Sequence, residues 1–155
     1  MRSGIGYDVH RFGEGRRLVL AGVELEGESG LVGNSDADVV THAVMDALLG
    51  AAGKGDIGEH FPDDDPRFAG ADSIELLRRV AGELGWSIAN VDVTVIAERP
   101  HLGPYKKQMA ARLAGAMDVD PVCVNVKATT NEGMGFVGRG EGIAALATAQ
   151  IFREA

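Results

Sequence analysis

Residues 3–12 read SGIGYDVHRF, and they predict a first β-strand whose two faces differ in character. Apolar and small or polar residues alternate along it, which is the period-two pattern of a β-strand. The two faces carry Ile5, Tyr7 and Val9 on one side, and Gly4, Gly6, Asp8 and His10 on the other. The glycines leave room above the face on which Asp8 and His10 lie.

Beyond this strand, hydrophobic periodicity and helix-capping residues predict three main helices and several further strands. Helices are expected over 36–53, with Asp36 as the cap, and over 72–85 and 104–117; strands are expected over 18–20, 22–23, 86–98 and 122–127. Residues 53–70 are rich in Gly, Asp and Pro and predict a long loop. Residues 141–153 are ambiguous, because their alanines favour a helix and their alternation permits a strand. This order predicts an α+β fold, a mixed sheet packed with three main helices, in one compact domain over 1–155.

Composition narrows the class of protein. The 155 residues are 45% hydrophobic and 25% charged, which is typical of a globular chain. The net charge of −8 argues against a nucleic-acid partner, and no apolar run is long enough to predict a membrane span. Cys123 is the one cysteine, so an internal disulfide is excluded and a cytoplasmic location is expected.

Two groups of residues suggest chemistry. Asp8 and His10 share a strand face, and His42 lies on the first predicted helix away from its apolar stripe, so the three could bind Zn²⁺ or a related divalent cation and leave a position open. Asp46, one helical turn further, could orient His42. The alternative is a surface strand and a structural histidine, because nothing in the spacing forces the two elements to meet.

The second group is the run KATTNEGMGFVGRGEG at 127–142. Its glycine amides could cradle phosphate, and Glu132 could hold Mg²⁺ beside phosphate oxygens. The alternative is a glycine-rich hairpin with solvated charges. Similarly, the acidic loop GDIGEHFPDDDP at 55–66 could be a solvated turn and nothing more.

Taken together, these segments resemble the 2-C-methyl-D-erythritol 2,4-cyclodiphosphate synthase family over nearly the whole chain. The resemblance depends on GYDVHRF at 6–12, SDADVVTHAVMDALLGA at 35–51, GDIGEHFPDDDP at 55–66, GADSIELL at 70–77, NVDVTVIAERP at 90–100 and NVKATTNEGMGFVGRGEG at 125–142. Each motif is modest by itself, but their presence in this order is highly specific.

The resemblance implies an enzyme of the non-mevalonate isoprenoid pathway. The 2-phosphate of 4-diphosphocytidyl-2-C-methyl-D-erythritol 2-phosphate attacks the β-phosphorus, CMP leaves, and a cyclic diphosphate remains. Members of the family are homotrimers with active sites between subunits, and some are fused to a cytidylyltransferase. This chain is expected to be monofunctional, because no second domain fits its length.

The resemblance also implies the site residues. Asp8, His10 and His42 match ligands of Zn²⁺ or another divalent metal, Glu132 matches the Mg²⁺ ligand, and Thr130 matches a stabiliser of the transition state. Substrate contacts are expected at Ser35, Asp56, Ile57, Gly58, Phe61, Pro62, Asp63, Asp64, Asp65, Ala97, Glu98, Arg99, Pro100, His101, Leu102, Gly103, Thr129, Asn131, Phe136 and Arg139. Of these, residues 97–103 and 129–132 are expected to come from the adjacent subunit and to hold the cytidine and diphosphate.

Two positions depart from the family pattern. Asn34 stands where the family usually has a histidine that contacts phosphate and stabilises the transition state, and His101 stands where a more basic residue is common. Asn34 can donate a hydrogen bond but carries no charge, so we expect a slower enzyme. Two other hypotheses remain open at this stage, a metal-dependent phosphohydrolase with the same ligands and a non-catalytic trimer that binds a nucleotide or an isoprenoid diphosphate.

Overall fold

The computed structural model describes residues 1–153. The strands are β1 (Arg2–Arg11), β2 (Leu18–Leu20), β3 (Val23–Leu25), β4 (Ser87–Ile96), β5 (Val124–Thr129) and β6 (Gly142–Phe152). The helices are α1 (Val39–Ala52), α2 (Ile57–His60), α3 (Ser73–Glu83), α4 (Lys106–Met117) and α5 (Gly135–Gly138). In this part of the chain no helix combines the length and the apolar character needed to cross a bilayer.

Four strands form one mixed sheet in the order β1–β6–β4–β5, and β2 and β3 form a separate hairpin. Strand β6 is antiparallel to both of its neighbours, whereas β4 and β5 are parallel. Strands β1, β4 and β5 therefore run in one direction, and their carboxyl ends meet at the same edge of the sheet. The predicted α+β fold with three main helices is confirmed, and α2 and α5 add one turn each.

Helix α1 packs directly on β1 and β6, and glycine makes this approach possible. A Cβ atom on Gly6 would lie 1.9 Å from the carbonyl oxygen of Ala43, and one on Gly4 would lie 2.1 Å from that of Ala47. No side chain fits into that space. The two glycines of the opening stretch therefore let the helix backbone rest on the strand.

Strand β6 resolves the ambiguity of residues 141–153. It pairs along its whole length with β1 on one side and β4 on the other, so it is a central strand. Its inward-facing side chains, Ile143, Ala145, Ala147, Ala149 and Ile151, are buried against the helical layer. Two sets of ladder hydrogen bonds and this burial outweigh the weak preference of alanine for a helix. The strand that the alternation permits is therefore correct, and the helix that the alanines favour is wrong.

The start of α1 differs from the prediction. The helix begins at Val39, and its cap is Asp38, whose side chain accepts a hydrogen bond from the backbone N–H of Thr41 at 3.0 Å. Asp36, the predicted cap, lies two residues earlier, and its side chain accepts instead from the backbone N–H of Ser73 at 2.9 Å. The error arose because Asp36 and Asp38 are equally good capping residues, and only the packing of the hairpin decides between them.

The predicted loop at 53–70 contains short helices. Helix α2 begins after Asp56, and a 3-10 turn follows at Pro66–Phe68. Elsewhere the third main helix starts at Lys106, preceded by a 3-10 turn at Gly103–Tyr105. Short helices of this kind have too few residues to show a hydrophobic period, so the sequence pattern missed them.

The face of the sheet opposite the helices exposes apolar side chains. Ile5 is 66% and Tyr7 53% exposed, and Val9 and Leu146 are also exposed. Tyr7 and Leu146 are direct cross-strand neighbours, so these side chains form one patch. A contiguous exposed apolar patch of this kind indicates a contact surface.

Candidate metal centre and substrate cavity

Strand β1 and helix α1 bring Asp8, His10 and His42 together, as predicted. Asp8 and His10 project from the glycine-containing face of β1 towards α1, and His42 projects from the second turn of the capped helix. In the described part of the chain, these three residues form the one group of acidic, histidine or cysteine side chains whose ligand atoms converge. The close contact of α1 with Gly4 and Gly6 thus positions the third ligand.

The three ligand atoms are spaced as a metal requires. The Oδ2 atom of Asp8 lies 3.0 Å from Nε2 of His10 and 3.0 Å from Nδ1 of His42. The two imidazole nitrogens are 3.2 Å apart. Ligands bound to Zn²⁺ at about 2.0–2.1 Å in a tetrahedron are about 3.3 Å from one another. Side chains with these donor types and this spacing fit a divalent cation, with the fourth position open.

The far nitrogen of each imidazole is hydrogen-bonded. His10 uses Nδ1 to contact the carbonyl oxygen of Val32 at 2.7 Å, and a carbonyl can only accept, so this nitrogen carries the hydrogen. His42 uses Nε2 to contact the hydroxyl of Ser73 at 2.9 Å and that of Ser35 at 3.2 Å. When Nδ1 of His10 and Nε2 of His42 carry the hydrogens, Nε2 of His10 and Nδ1 of His42 each present a lone pair to the Asp8 carboxylate. Three acceptors cannot satisfy one another, so the arrangement calls for a cation or a proton between them.

The electrostatics agree with this conclusion. Burial alone would raise the pKa of Asp8, but hydrogen bonds and charges from His10 and His42 outweigh it and hold that pKa well below its ordinary value. Burial alone would lower the pKa of His10, whereas the hydrogen bond and charge of Asp8, helped by the Val32 carbonyl, raise it. Protonation of His10 is therefore favoured beside the Asp8 carboxylate, and a bound cation would compete with that proton.

A cavity of about 180 Å³ adjoins the metal ligands. Nine of the predicted site residues lie in its wall: Asp8, His10, Asn34, Ser35, His42, Ile57, Gly58, Phe61 and Asp63. The wall also includes residues that the sequence analysis did not select, namely Gly33, Met45, Phe68 and Leu76. Phe61 and Phe68 pack edge to face with ring centroids 5.2 Å apart, which makes one side of the cavity apolar.

Asp46 does not orient His42, and that hypothesis is wrong. Its Oδ1 atom accepts a hydrogen bond from the backbone N–H of Ile57 at 2.8 Å. The carboxylate thus fixes the start of α2, which brings Ile57 and Gly58 to the cavity. Helical spacing places Asp46 one turn from His42, but it could not show that the partner of Asp46 is the backbone of the next loop.

The remaining residues of the acidic loop have local roles in the structure. Asp56 caps α2 by accepting from the backbone N–H of Glu59 at 3.1 Å, and Asp65 caps the following 3-10 turn and pairs with Arg67. Both capping contacts lie outside the cavity wall, as do Pro62 and Asp64. Of the predicted substrate contacts in this loop, Ile57, Gly58, Phe61 and Asp63 line the cavity and the other four do not.

A second cluster lies at the carboxyl ends of β4 and β5. Glu98 accepts hydrogen bonds from the backbone N–H groups of Asn131 at 2.7 Å and Gly133 at 3.4 Å, and it ties the two segments together. The hydroxyl of Thr130 donates to Oε1 of Glu132 at 3.1 Å. Glu132 has a φ of 52°, in the left-handed region, and its carboxylate is exposed.

The predicted contacts at Ala97 and Thr129 belong to this second cluster, and the segment that follows β4 in the chain carries the other predicted residues, Arg99, Pro100, His101, Leu102 and Gly103. The backbone N–H of Ala97 donates to the carbonyl of Thr129 at 3.0 Å, which continues the parallel pairing past the strand ends. None of the residues at 97–103 or 129–132 is in the wall of the metal-site cavity. The structure therefore brings the predicted residues together in two groups, not in one.

Phe136 and Arg139 belong to neither group. Phe136 is on α5 and is exposed, and Arg139 caps that helix and pairs through Nε with Glu141 at 2.6 Å.

A mixed α+β fold with a two-histidine, one-carboxylate centre beside a cavity defines a class of metal-dependent enzymes. The comparisons with known proteins name the family. The sequence model of the YgbB family matches residues 1–152, and the chain belongs to that family.

Two curated relatives are each 60% identical to this chain. One is the 2-C-methyl-D-erythritol 2,4-cyclodiphosphate synthase of Symbiobacterium thermophilum, where the match covers 97% of this chain and 98% of the relative. The other is the bifunctional enzyme IspD/IspF of Anaeromyxobacter dehalogenans, where it covers 99% of this chain. The chain spans 40% of the length of that bifunctional relative.

Solved structures give the same result. The bifunctional IspDF of Campylobacter jejuni superposes with a TM-score of 0.93 at 44% identity, over 99% of this chain and 42% of that one. Plasmodium falciparum IspF, solved as a CDP complex, superposes with a TM-score of 0.85 at 29% identity, over 99% of this chain and 97% of that one. The chain thus matches the cyclodiphosphate synthases in both sequence and fold.

Proposed function

We propose that the chain catalyses the cyclodiphosphate synthase reaction of its relatives. It converts 4-diphosphocytidyl-2-C-methyl-D-erythritol 2-phosphate to 2-C-methyl-D-erythritol 2,4-cyclodiphosphate and CMP, in the non-mevalonate isoprenoid pathway. The convergence of Asp8, His10 and His42 at the wall of a cavity is the observation that carries this proposal, since it adds a cation site to the family match.

The chemistry explains why few groups are needed. The attacking 2-phosphate is already ionised and has no essential proton to lose, so no general base is required. Catalysis then depends on position and on neutralising phosphate charge. A zinc ion on Asp8, His10 and His42 and a magnesium ion on Glu132 would supply the positive charge that a chain of net charge −8 lacks.

The protein's own groups bind and orient the substrate. Asn34 and Ser35 lie beside the metal ligands and can donate hydrogen bonds to phosphate oxygens. Gly58, Asp63 and Phe61 enclose the erythritol part, with Asp56, Pro62, Asp64 and Asp65 around the rim. Thr130 supplies a hydroxyl to the transition state, and Thr129, Asn131 and the loop 97–103 hold the diphosphate and cytidine.

The active enzyme is a homotrimer in this proposal, with each site shared by two subunits. Strands β1 and β5 are three positions apart in the sheet, so their ends are about 14 Å apart within one chain. Zinc on the first and magnesium on the second could not act on one diphosphate over that distance. The second cluster of a neighbour completes the site instead, and the exposed patch of Ile5, Tyr7, Val9 and Leu146 supports such an assembly. Phe136 and Arg139 contact ligand near the threefold axis.

A cytoplasmic enzyme is consistent with the single cysteine, which is not in a disulfide.

Incubation of the protein with the diphosphocytidyl substrate and Mg²⁺, followed by phosphorus NMR, tests the activity. We expect CMP and the cyclic diphosphate in equal amounts. A linear phosphate product would instead identify a phosphohydrolase, and binding without turnover would identify a non-catalytic module; either result contradicts the proposal. Light scattering tests the assembly, and an active monomer would contradict the shared site.

A further inference from the structure

Behind the metal centre, a chain of hydrogen bonds runs from His42 through Ser73 to Asp36, and the sequence analysis assigned neither residue to the metal site. The Nε2 atom of His42 lies 2.9 Å from the hydroxyl oxygen of Ser73, the first residue of α3. That hydroxyl in turn contacts Oδ1 of Asp36, and the backbone N–H of Ser73 donates to Oδ2 of Asp36 at 2.9 Å. Ser73 is fully buried, so water cannot replace either partner.

The direction of these hydrogen bonds follows from the chemistry of the groups. A carboxylate only accepts, so the Ser73 hydroxyl must donate its single hydrogen to Asp36. The oxygen of Ser73 is then an acceptor towards His42, and Nε2 of His42 must carry the hydrogen. The Nδ1 atom is consequently left with its lone pair, and it is Nδ1 that lies 3.0 Å from Asp8.

The two histidine ligands are therefore fixed by different means. The tautomer of His10 is set by the backbone carbonyl of Val32, which no substitution can remove. That of His42 is set from outside α1 by Ser73, whose hydroxyl Asp36 orients, while the Ser35 hydroxyl lies farther from the same nitrogen, at 3.2 Å. Partners of this kind hold ligands in orientation, and their loss typically weakens metal binding by about 10–100-fold.

We propose that Asp36 and Ser73 are positioning residues of the metal centre, which hold His42 in the tautomer that presents Nδ1 to the cation. The inference rests on the proposed metal site. It assigns a role to two residues that are neither metal ligands nor part of the cavity wall. It also makes zinc affinity depend on the first residue of α3.

Chelator competition on zinc-loaded protein tests the proposal. We expect Ser73→Ala to raise the zinc dissociation constant by about 10–100-fold, and Asp36→Ala to have a similar effect. Because the two residues act in series, the double variant should be little weaker than either single one. Thr41→Val is the matched control, since Thr41 is equally buried, lies next to His42 and bonds through its hydroxyl to Asp38 at 2.7 Å. It should lower stability without changing zinc affinity.

Proton NMR of the zinc-loaded protein gives a readout that a purely structural role would not change. The Nε2–H proton of His42 should exchange slowly with water in the wild type and rapidly in Ser73→Ala. Equal zinc affinity of wild type and Ser73→Ala, an equal loss in Thr41→Val, or the absence of the protected proton in the wild type would overturn the inference. A wild-type protein that binds no zinc would overturn the metal site as well, so the two failures are distinguishable.

Discussion

The metal centre and the cluster at the ends of β4 and β5 lie on the same edge of the sheet, but they are built in different ways. Asp8, His10 and His42 come from the contact between edge strand β1 and helix α1 and are largely enclosed. Thr130 and Glu132 follow a strand at the far side of the sheet and are exposed. The metal centre has all three of its ligands from one chain, whereas the second cluster exposes its side chains to solvent.

The difference shows how the core of a single chain can preform only part of a site. Buried ligands are oriented by packing and hydrogen bonds, so the chain prepares the metal centre before any substrate binds. Exposed groups that bind phosphate gain their strength only when water is excluded, which requires a partner surface or the substrate itself. Substitutions in the two regions should therefore fail in different ways.

The largest expected effect is in the enclosed region. His42→Ala should reduce bound zinc from about one equivalent per chain to nearly none and lower turnover by at least about 10³-fold, because the remaining two ligands cannot hold the cation. Metal analysis and initial rates measure both quantities. His60→Ala, which alters an exposed histidine on α2, is the control and should retain zinc. Full activity of His42→Ala would contradict the ligand assignment.

The matching change in the exposed region is Glu132→Gln. We expect zinc to stay bound and Mg²⁺-dependent turnover to fall by about 10²-fold, because the amide binds Mg²⁺ weakly in place of the carboxylate. A magnesium titration of initial rates makes the comparison. An unchanged titration curve would show that Glu132 has no part in metal binding.

Gly6→Ala tests how the enclosed region is supported. The new methyl group would overlap the carbonyl of Ala43, so α1 must move away from β1, and we expect a loss of about 3 kcal/mol in the free energy of unfolding. Zinc affinity should fall with it. Gly82→Ala, in α3 with open space around its Cβ position, is the control and should be tolerated. Urea denaturation checks both, and equal stability of the two variants would refute the close-contact argument.

Asn34→His tests whether a charged side chain in the cavity wall binds phosphate better than the neutral one that is present. A charged donor binds phosphate roughly twice as strongly as a neutral one, so the variant should be faster by about tenfold at most. The gain should shrink as pH rises and the new imidazole loses its proton. Turnover measured for both proteins between about pH 5.5 and 8.5 decides the matter. A slower variant, or identical profiles, would show that Asn34 does not limit the rate.

The smallest effect concerns pH and the enclosed ligands. Because the pKa of His10 is raised in the folded protein, its contribution to stability is complete below its ordinary value of 6.5 and is lost as pH rises through the raised pKa. Zinc-free protein should therefore become less stable above that pH. Zinc-loaded protein should show the opposite trend, because protons compete with the metal for its ligands. Urea denaturation midpoints measured across pH with and without chelator test this. The same pH trend in zinc-free and zinc-loaded protein would contradict competition between protons and the metal for these ligands.

Much of the fold was predictable because its signals are local. The alternation at 3–12, the apolar spacing within α1 and the valines of β4 and β5 each specify an element through the side chains that it must bury. The final strand was not predictable in this way. Its alanines are small because α1 lies against them, and this reason exists only when the helix is in place.

The site likewise has features that local sequence predicts and features that depend on packing. The types and order of the residues place the chain in its family, and that resemblance predicted the three metal ligands. Spacing alone left a surface strand and a structural histidine as the alternative. Only the tertiary structure decided how the ligands are held: by the Val32 carbonyl, by Ser73 and by Asp36, with Asp46 directed to the neighbouring loop. A hydrogen bond between residues 31 or 37 positions apart depends on how elements pack, and packing distances are not written in local spacing.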